Sequence, residues 1–229
     1  MDDDRLLRIL AELEAEPAPR TRALCSVSAR VIGTDGAGIT LMMGEMSGPV
    51  CASDATSARV EELQYTLGEG PCIDSHRLGA PVFEPDLTAA WPSRWPTFGE
   101  QALAAGVCAV FAFPLRIGAV RIRAMTLYGS GTGSLGDERL ADALAMADVV
   151  AHEILVTQSG TPGGVLAEQL ASVGAYRAEI HQASGMVAIQ LGVPVSDALV
   201  RLRAHAFRTD RPLREVAADV VARRLRLEP

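Results

Sequence analysis

The 229-residue sequence contains no lysine and no asparagine, and all 21 of its basic residues are arginine. Without lysine it cannot form the Gly-x-x-x-x-Gly-Lys phosphate loop of nucleotide-binding enzymes. No stretch approaches the roughly 18 uninterrupted apolar residues of a membrane span. The acidic start Met1–Asp4 is unlike the basic, then apolar start of a signal peptide. These absences predict a cytoplasmic protein without a membrane segment.

The sequence also has few cysteines and no pattern that joins them. They are Cys25, Cys51, Cys72 and Cys108. The four lie far apart, with no Cys-x-x-Cys pair and no histidine at zinc-finger spacing. Reduced thiols are therefore expected, with neither a disulfide framework nor a metal site. His152-Glu153 does not begin a zinc-protease motif, because Val156 stands where the second histidine is needed.

Composition and length favour two soluble domains. Apolar residues make up 48% of the chain and charged residues 21%, which is enough for a buried core. The stretch from Gln158 to Gly164 is small, polar and rich in glycine, which is typical of a linker. The sequence thus predicts a first domain at residues 1–157, a linker at 158–164 and a second domain at 165–229.

The first domain alternates between helical and extended patterns. Apolar spacing predicts helices at 3–16, 20–32, 57–65, 72–78, 97–105 and 137–157, the last with Leu140, Leu144, Ala147 and Ala151 on its buried face. Strands are predicted at 36–43, 49–53, 80–83, 107–117 and 120–128. Turns at Gly44–Gly48 and Gly118–Ala119 join the two strand pairs as hairpins. This order predicts an α+β fold with a mostly antiparallel sheet flanked by helices.

The second domain shows helical spacing throughout. It predicts three helices, at 165–191, at 196–208 with Ser196 as the cap, and from Asp210 to about Leu225. The first carries a heptad seam interrupted at Arg177 and Ser184, whose apolar members are Leu166, Leu170, Val173, Ile180, Val187 and Leu191. Such a seam is suited to a short coiled coil between two chains or to packing within one chain, and we expect a homodimer. A small three-helix unit would gain stability from that partner.

Arginine is concentrated in the second domain. Residues 1–165 carry 12 arginines and 21 acidic residues, a net charge of −9, whereas residues 166–229 carry 9 arginines and 7 acidic residues, a net charge of +2. This asymmetry favours a polyanionic partner for the C-terminal half.

Three basic residues of the second helix fall on one face. Arg201, His205 and Arg208 are spaced four and three residues apart, with Arg203 on the same helix. Further arginines that could extend this face are Arg223, Arg224 and Arg226. The alternative is a solvated helix face with local ion pairs, such as Asp197 with Arg201.

Three segments of the second domain carry a resemblance to a known family. They are Arg-Ala-Glu-Ile-His-Gln-Ala-Ser-Gly-Met-Val at 177–187, Ala-Leu-Val-Arg-Leu-Arg-Ala-His-Ala-Phe at 198–207 and Pro-Leu-Arg-Glu-Val-Ala-Ala-Asp-Val-Val at 212–221. Together they resemble the ANTAR domain of transcription antitermination regulators. The segment Leu-Gly-Glu-Gly-Pro-Cys at 67–72, followed by a hairpin and a long helix, resembles a GAF domain. The pair is similar to the GAF-ANTAR regulators common in actinobacteria.

The resemblance implies a non-enzymatic, signal-responsive regulator. Its C-terminal domain would bind RNA hairpins in nascent transcripts and favour an antiterminator over a terminator, under the control of the N-terminal sensory domain. The candidate RNA-binding residues are Arg177, Gln182, Ser184, Arg201, Arg203, His205 and Arg208. Many family members have lysine where this chain has Ser184, so one potential phosphate contact is missing. A DNA-binding regulator with a helix-turn-helix-like tail is the alternative.

The first domain offers candidates for a small-molecule pocket. They are Tyr65, Cys72, Trp91 and Trp95. Cys72 follows a glycine-rich loop, and the two tryptophans share one loop although aromatic residues are only 4% of the chain. Core or lid packing is the alternative for the tryptophans, and an idle buried thiol is the alternative for Cys72.

Two enzymatic or sensing roles for Cys72 stay open, namely a redox-sensing thiol and a GAF-type methionine sulfoxide reductase. Nearby, His76, Glu69 and Asp74 are expected to have surface or capping roles and do not form a metal-ligand set. The cofactor or ligand is not indicated, since the sequence has no signature for haem, a nucleotide or a bilin.

Overall fold

The computed structural model describes the backbone at residues 3–43, 46–91, 93–117, 120–160 and 165–228. It describes the side chains of these residues except those of 3, 41–43, 46–47, 117, 120–123, 155 and 157–177. The chain forms two compact units, Met1–Gln169 and Leu170–Pro229.

The N-terminal unit combines a five-stranded sheet with helices. Its strands are β1 (Gly36–Met43), β2 (Met46–Ala52), β3 (Val82–Glu84), β4 (Ala109–Ile117) and β5 (Val120–Gly129). Its helices are α1 (Asp3–Ala15), α2 (Arg20–Ile32), α3 (Ala55–Leu67), α4 (Pro71–Leu78), α5 (Leu87–Ala90), α6 (Pro96–Ala104) and α7 (Gly136–Gly160). The predicted α+β class and antiparallel sheet are confirmed.

The sheet order is β2-β1-β5-β4-β3, and every neighbouring pair is antiparallel. Helices α2 and α7 pack on one face, where alternate residues such as Phe111 and Phe113 of β4 are buried. Helices α3 and α4 cover the other face, where Val110 and Ala112 join a core cluster with Tyr128 of β5. Because successive strand residues point to opposite faces, β4 supplies both cores.

Two helices of the N-terminal unit begin at aspartates that cap them, and the apolar pattern alone does not identify these caps. Asp54 accepts a hydrogen bond from the backbone N–H of Ser57 and begins α3 (2.9 Å). Asp86 caps α5 in the same way, a four-residue helix that the sequence analysis missed because it is too short to show a period. Leu144 was expected on the buried face of α7, but its side chain is 45% exposed, and Met146 and Val150 are buried instead.

Helix α7 ends later than predicted. It continues to Gly160, so residues 158–160 of the expected linker are helical. Glutamine is a good helix former, and serine and glycine lower helix propensity without preventing the helical hydrogen bonds. The rest of that linker, residues 161–164, lies outside the described residues, as do Gly118–Ala119 and Gly44–Glu45 of the two predicted turns.

The expectation of reduced cysteines is wrong at one pair. Cys25 of α2 and Cys51 of β2 form a disulfide, with their Cα atoms 6.2 Å apart. The two residues are 26 positions apart in sequence but are brought together where α2 packs on β2. Cys72 and Cys108 are not disulfide-bonded, as expected.

The C-terminal unit contains α8 from Leu170 onward, α9 (Val195–Arg208) and α10 (Leu213–Val221), and α8 as a whole spans Val165–Leu191. A non-helical segment at 222–228 follows, so the third helix ends before the predicted Leu225. Pro194, not Ser196, stands at the N-cap of α9. The buried apolar residues among the described side chains are small or medium in size: Ile180, Ala183, Val187, Ala188, Ala198, Leu202, Ala206, Leu213, Val216, Ala217, Val220 and Leu227.

Within the described residues, no single helix has both the length and the apolar composition of a membrane span. Only the bent pair of Ala178–Leu191 with α9 passes that test, and its two halves meet at 105°.

Candidate nucleic-acid interface

Helix α9 presents a basic side because its apolar residues repeat every fourth position. Ala198, Leu202 and Ala206 are fully buried against the rest of the unit. The helical period then turns Arg201 and Arg208 outward, and both are exposed. His205 lies between them and is half-buried. The predicted grouping of these three residues is therefore present in the structure.

A groove of about 540 Å³ runs along this side of α9. Its lining residues are Arg201, Ala204, His205 and Arg208 from α9, with Arg226, Leu227 and Glu228 from the segment after α10. Four of these seven residues carry a basic side chain and one carries a carboxylate. The groove is thus mainly cationic, with a small apolar floor from Ala204 and Leu227.

The segment after α10 is held in place by specific contacts. Leu227 is buried, and its carbonyl oxygen accepts a hydrogen bond from Nε2 of Gln190 in α8 (2.5 Å). Asp219 Oδ1 accepts from Nε of Arg224 (2.8 Å). The backbone N–H groups of Arg224 and Leu225 also donate to the Asp219 carbonyl oxygen. These bonds fix the backbone on both sides of Arg226 and so define the second wall of the groove.

The charged side chains of the groove are not neutralised within the described part of the chain. There, Arg201, Arg226 and Glu228 form no hydrogen bond or ion pair. Asp197, the expected partner of Arg201, instead accepts from the Ser196 hydroxyl (3.2 Å). Two arginines outside the groove differ, since Arg211 and Arg224 both pair with Asp219, at 2.6 and 2.8 Å. The unpaired arginines therefore retain their capacity to bind an external anion.

His205 responds electrostatically to its basic neighbours. Its Nδ1 lies 3.4 Å from Nη2 of Arg208. Partial burial, followed by the positive charges of Arg208 and Arg211, lowers the pKa of His205 below its ordinary value. Since Arg is always the donor, the neutral imidazole accepts this contact. An anion in the groove would offset the same positive field.

Two apolar side chains flank the basic residues of α9. Val200 is 61% exposed and Phe207 is 40% exposed. They lie seven residues apart, which places them on one side of the helix. An exposed aromatic ring next to arginines is suited to stacking on an unpaired nucleobase. Sequence analysis missed Phe207 because an isolated aromatic residue in a helix is more often part of the core.

The other predicted RNA-binding residues lie elsewhere or outside the described side chains. Gln182 is exposed on α8, and Arg203 is half-buried on α9 outside the groove lining. Ser184 is buried, and its hydroxyl donates to the carbonyl oxygen of Ile180 (2.8 Å). A serine that bonds back to the preceding helical turn has no hydroxyl proton left for a ligand. The side chain of Arg177 lies outside the described residues.

The four pocket candidates of the N-terminal unit serve mostly as core. Tyr65, Cys72 and Trp95 are buried, whereas Trp91 is 37% exposed. Trp95 belongs to the core cluster between the sheet and α6, with its ring edge-on to Phe98. Trp91 Nε1 donates to the Pro96 carbonyl oxygen (2.7 Å). The packing alternative for the tryptophans therefore matches this geometry better than an open pocket.

The glycine-rich loop before Cys72 has a structural role. Glu69 Oε1 accepts from the backbone N–H groups of Thr97 and Phe98, at 2.8 and 2.6 Å. These are free donors at the start of α6, so the carboxylate caps that helix from a distant loop. Asp74 accepts from Trp95 Nε1 (3.0 Å). The expected capping and surface roles of Glu69 and Asp74 fit these contacts.

A buried carboxylate cluster was not foreseen. Glu61 of α3 is 1% exposed and accepts hydrogen bonds from the hydroxyls of Thr40 and Tyr128 and from Nε2 of Gln64. Burial, then the charge of Glu61, raises the pKa of Tyr128 well above its ordinary value, so the phenol remains a donor. Gln64 Oε1 in turn accepts from the Cys72 backbone N–H (2.7 Å).

The space for this cluster is provided by a glycine. A Cβ atom at Gly38 of β1 would approach Glu61 Cγ to 2.5 Å, which is closer than van der Waals contact permits. The helical spacing of Ser57, Glu61 and Gln64 places them on one polar face, which is the only signal in the sequence, and it does not show that this face turns inward.

Another cavity of about 260 Å³ lies at the start of α3, beside Asp35 and Asp54. Both carboxylates already have structural partners. Asp35 Oδ2 accepts from the backbone N–H and the hydroxyl of Ser130, at 2.6 and 2.7 Å. These bonds hold the pKa of Asp35 below its usual range.

Comparison with known proteins agrees with the division of the chain into an N-terminal and a C-terminal unit. The family model of the ANTAR domain matches residues 168–221. No curated protein matches the chain. Among solved structures, the chain is similar to the GAF domain of an Acinetobacter phosphoenolpyruvate-protein phosphotransferase, with 9% identity, a TM-score of 0.51 and coverage of 71% of this chain and 98% of that chain.

A corresponding GAF domain from Coxiella burnetii gives 14% identity, a TM-score of 0.48 and coverage of 68% and 94%. The Acinetobacter likeness shows the fold of the N-terminal part. An ANTAR domain implies an RNA-binding antitermination regulator, and the groove described above lies partly within the matched residues and partly beyond them. The chain carries an ANTAR domain at residues 168–221, preceded in sequence by a domain with the GAF fold.

Proposed function

We propose that this protein binds RNA hairpins in nascent transcripts through the groove of α9 and thereby acts in transcription antitermination. The observation that carries the proposal is the set of arginines at 201, 208 and 226 that line one groove without an intrachain ion pair in the described residues. Arginine guanidinium groups bind phosphate oxygens in bidentate geometry.

The groove and the exposed surface of α9 outside it together offer the two kinds of contact that RNA loops require. Arg201, Arg208 and Arg226 would hold backbone phosphates, which fixes the RNA in register. Phe207, exposed on the same helix, would stack on a loop base. A net charge of +2 on residues 166–229 is modest, so the local arrangement of the cations matters more than the total charge.

The proposal includes a sensory role for the GAF-like domain and a homodimer as the working form. The GAF fold supports a sensory domain, and residues 165–191 supply one long helix that could pair with a second copy. The seam residues at 166–173 that would make this contact lie outside the described side chains. Small-molecule binding, dimerisation, a cytoplasmic location and the actinobacterial type of the regulator remain predictions.

The test is a salt-dependent binding titration of the full-length protein with short RNA hairpins and with duplex DNA of the same stem sequence. The variant R201A/R208A should reduce hairpin affinity at least tenfold and reduce the slope of log K against log salt by about 1.5, since each lost phosphate contact changes it by roughly 0.7–0.9. Arg214→Ala is the matched control, because Arg214 is exposed on α10 outside the groove lining.

Two other outcomes would favour a different function. Tighter binding of duplex DNA than of hairpins would favour a DNA-binding regulator. Turnover of free methionine sulfoxide that is lost in Cys72→Ser would favour the thiol enzyme. The burial of Cys72 does not support that activity, because an attacking thiolate needs access to its substrate.

A further inference from the structure

The groove of α9 contains one acidic side chain whose position calls for an explanation. Glu228 lines it together with Arg201, Arg208 and Arg226. If the groove served phosphates alone, a carboxylate there would weaken binding by repulsion. Glu228 also does not neutralise a particular arginine, since it forms no ion pair or hydrogen bond within the described residues. Asp219 shows what a neutralising acid looks like in this unit, because it pairs with both Arg211 and Arg224.

The backbone beside Glu228 is fixed. Leu227 is buried, and its carbonyl oxygen accepts from Nε2 of Gln190. The carboxylate therefore belongs to an exposed residue, Glu228, that directly follows an anchored one. The volume of about 540 Å³ falls in the range of pockets that hold small organic molecules, and Ala204 and Leu227 give it apolar surface for a planar ring. Residues 222–228 lie beyond the ANTAR match.

A carboxylate is an acceptor only, and this restricts what it can bind in RNA. The donors of an unpaired base lie on its Watson–Crick edge. Guanine presents two adjacent donors there, the ring N1–H and the exocyclic N2 amino group, which match the two oxygens of a carboxylate. Adenine, cytosine and uracil each present a donor beside an acceptor, which a carboxylate oxygen would repel.

We propose that Glu228 selects an unpaired guanine in the loop of the bound RNA by accepting hydrogen bonds from its N1–H and N2 amino groups, while the surrounding arginines hold the flanking phosphates. This specificity rests on the proposed RNA-binding function. It assigns Glu228 a role in discrimination between bases and the arginines a role in affinity for every RNA.

The test uses the full-length protein and a set of RNA hairpins that share one stem and a uridine loop, in which one loop position at a time is guanine, inosine, adenine or uridine. At one position, the wild-type protein should bind the guanine hairpin about tenfold more tightly than the adenine or uridine hairpin, and inosine, which lacks the N2 amino group, should fall between them. In E228Q and E228A this preference should fall below threefold.

The arginine variant distinguishes affinity for RNA in general from preference for guanine. R201A/R208A should weaken binding to all hairpins by a similar factor and keep the guanine preference. If the wild-type protein binds hairpins without preferring guanine, or if E228A retains the preference, the role of Glu228 is overturned and RNA binding stands. If E228A binds every hairpin equally more tightly, Glu228 acts only by repulsion and the inference is also overturned. If the wild-type protein binds no hairpin, both proposals fail.

Discussion

Charged residues have different roles in the N-terminal unit and in the groove of α9 of the C-terminal unit. In the N-terminal unit, arginines join helices that are distant in sequence, as in the ion pairs of Arg5 with Asp142 (2.7 Å) and Arg20 with Glu153 (2.8 Å). In the groove of α9, Arg201, Arg208 and Arg226 have no acidic partner among the described residues. The difference teaches that the density of arginines in the sequence does not show which of them can bind a ligand. The presence or absence of an acidic partner in the structure distinguishes a structural charge from an available one.

The N-terminal unit also holds its elements together in ways that the C-terminal unit does not. It contains all four cysteines, one disulfide and a buried carboxylate cluster. The core of the C-terminal unit is rich in alanine, at Ala183, Ala198, Ala206 and Ala217, which bury little apolar area each. Perturbations of internal bonds should therefore affect the N-terminal unit, and changes of surface charge should affect ligand binding by the C-terminal unit.

Loss of the Cys25–Cys51 disulfide should have the largest effect on stability. A bond across 26 residues reduces the entropy of the unfolded chain and contributes about 3.5 kcal/mol in the loop-closure treatment. Reduction with a thiol, or the variant C25A/C51A, should lower the melting temperature of the N-terminal unit by about 10 °C in thermal denaturation followed by circular dichroism. Cys108→Ala is the control, since Cys108 is free. An unchanged melting temperature under reducing conditions would show that the bond is not formed or not stabilising.

Removal of one hydroxyl from the Glu61 cluster should have the next largest effect. Tyr128→Phe deletes a hydrogen bond to a buried carboxylate without changing the ring, and should lower the free energy of unfolding by about 2 kcal/mol in urea titration. The same change in a Glu61→Gln background should cost less than 1 kcal/mol, because the acceptor is then neutral. Equal costs in both backgrounds would contradict the role of a charged acceptor.

The sequence predicted most helices and strands because their apolar periods are long and their ends are marked by proline and glycine. It did not predict the disulfide, since spacing in sequence does not reveal that α2 packs on β2. It did not predict that the Glu61 side chain is buried either. The helical period groups Ser57, Glu61 and Gln64 on one face without showing which way that face turns.

Only one of the two walls of the candidate groove could be predicted from the sequence. One wall, with Arg201, His205 and Arg208, follows from spacing on a single helix. The other wall depends on an irregular segment whose path is set by the burial of Leu227 and its bond to Gln190. Arg226 was among the arginines expected to extend the basic face, but Glu228 was not foreseen, since no periodic pattern covers the residues after α10.

A comparison of single arginines should sharpen the difference between paired and unpaired charges. Arg226→Ala removes an unpaired groove cation and should weaken hairpin binding about fivefold at moderate salt, because one phosphate contact is lost. Arg211→Ala removes an arginine that is already neutralised by Asp219, and should change hairpin affinity less than twofold. The measurement is fluorescence anisotropy of labelled hairpins at three salt concentrations. Similar losses in both variants would show that pairing in the free protein does not predict the ligand contacts.

The smallest expected effect is a pH dependence from His205. Its pKa is lowered in the free protein by partial burial and by Arg208 and Arg211, so the imidazole is mostly neutral at pH 7. Bound phosphates offset those positive charges and raise the pKa, and binding then takes up a proton. Because the bound state holds more protons, hairpin affinity should rise as the pH falls through the interval between the two pKa values, by up to about tenfold for a rise of one pKa unit.

Anisotropy titrations between pH 8 and pH 5.5 measure this effect, with His205→Gln expected to remove the dependence. His181→Gln is the control, since His181 is exposed on α8 outside the groove lining. Affinity that falls as the pH falls would have the wrong sign for a histidine whose pKa rises on binding. It would instead show that a group other than His205 sets the pH dependence of RNA binding.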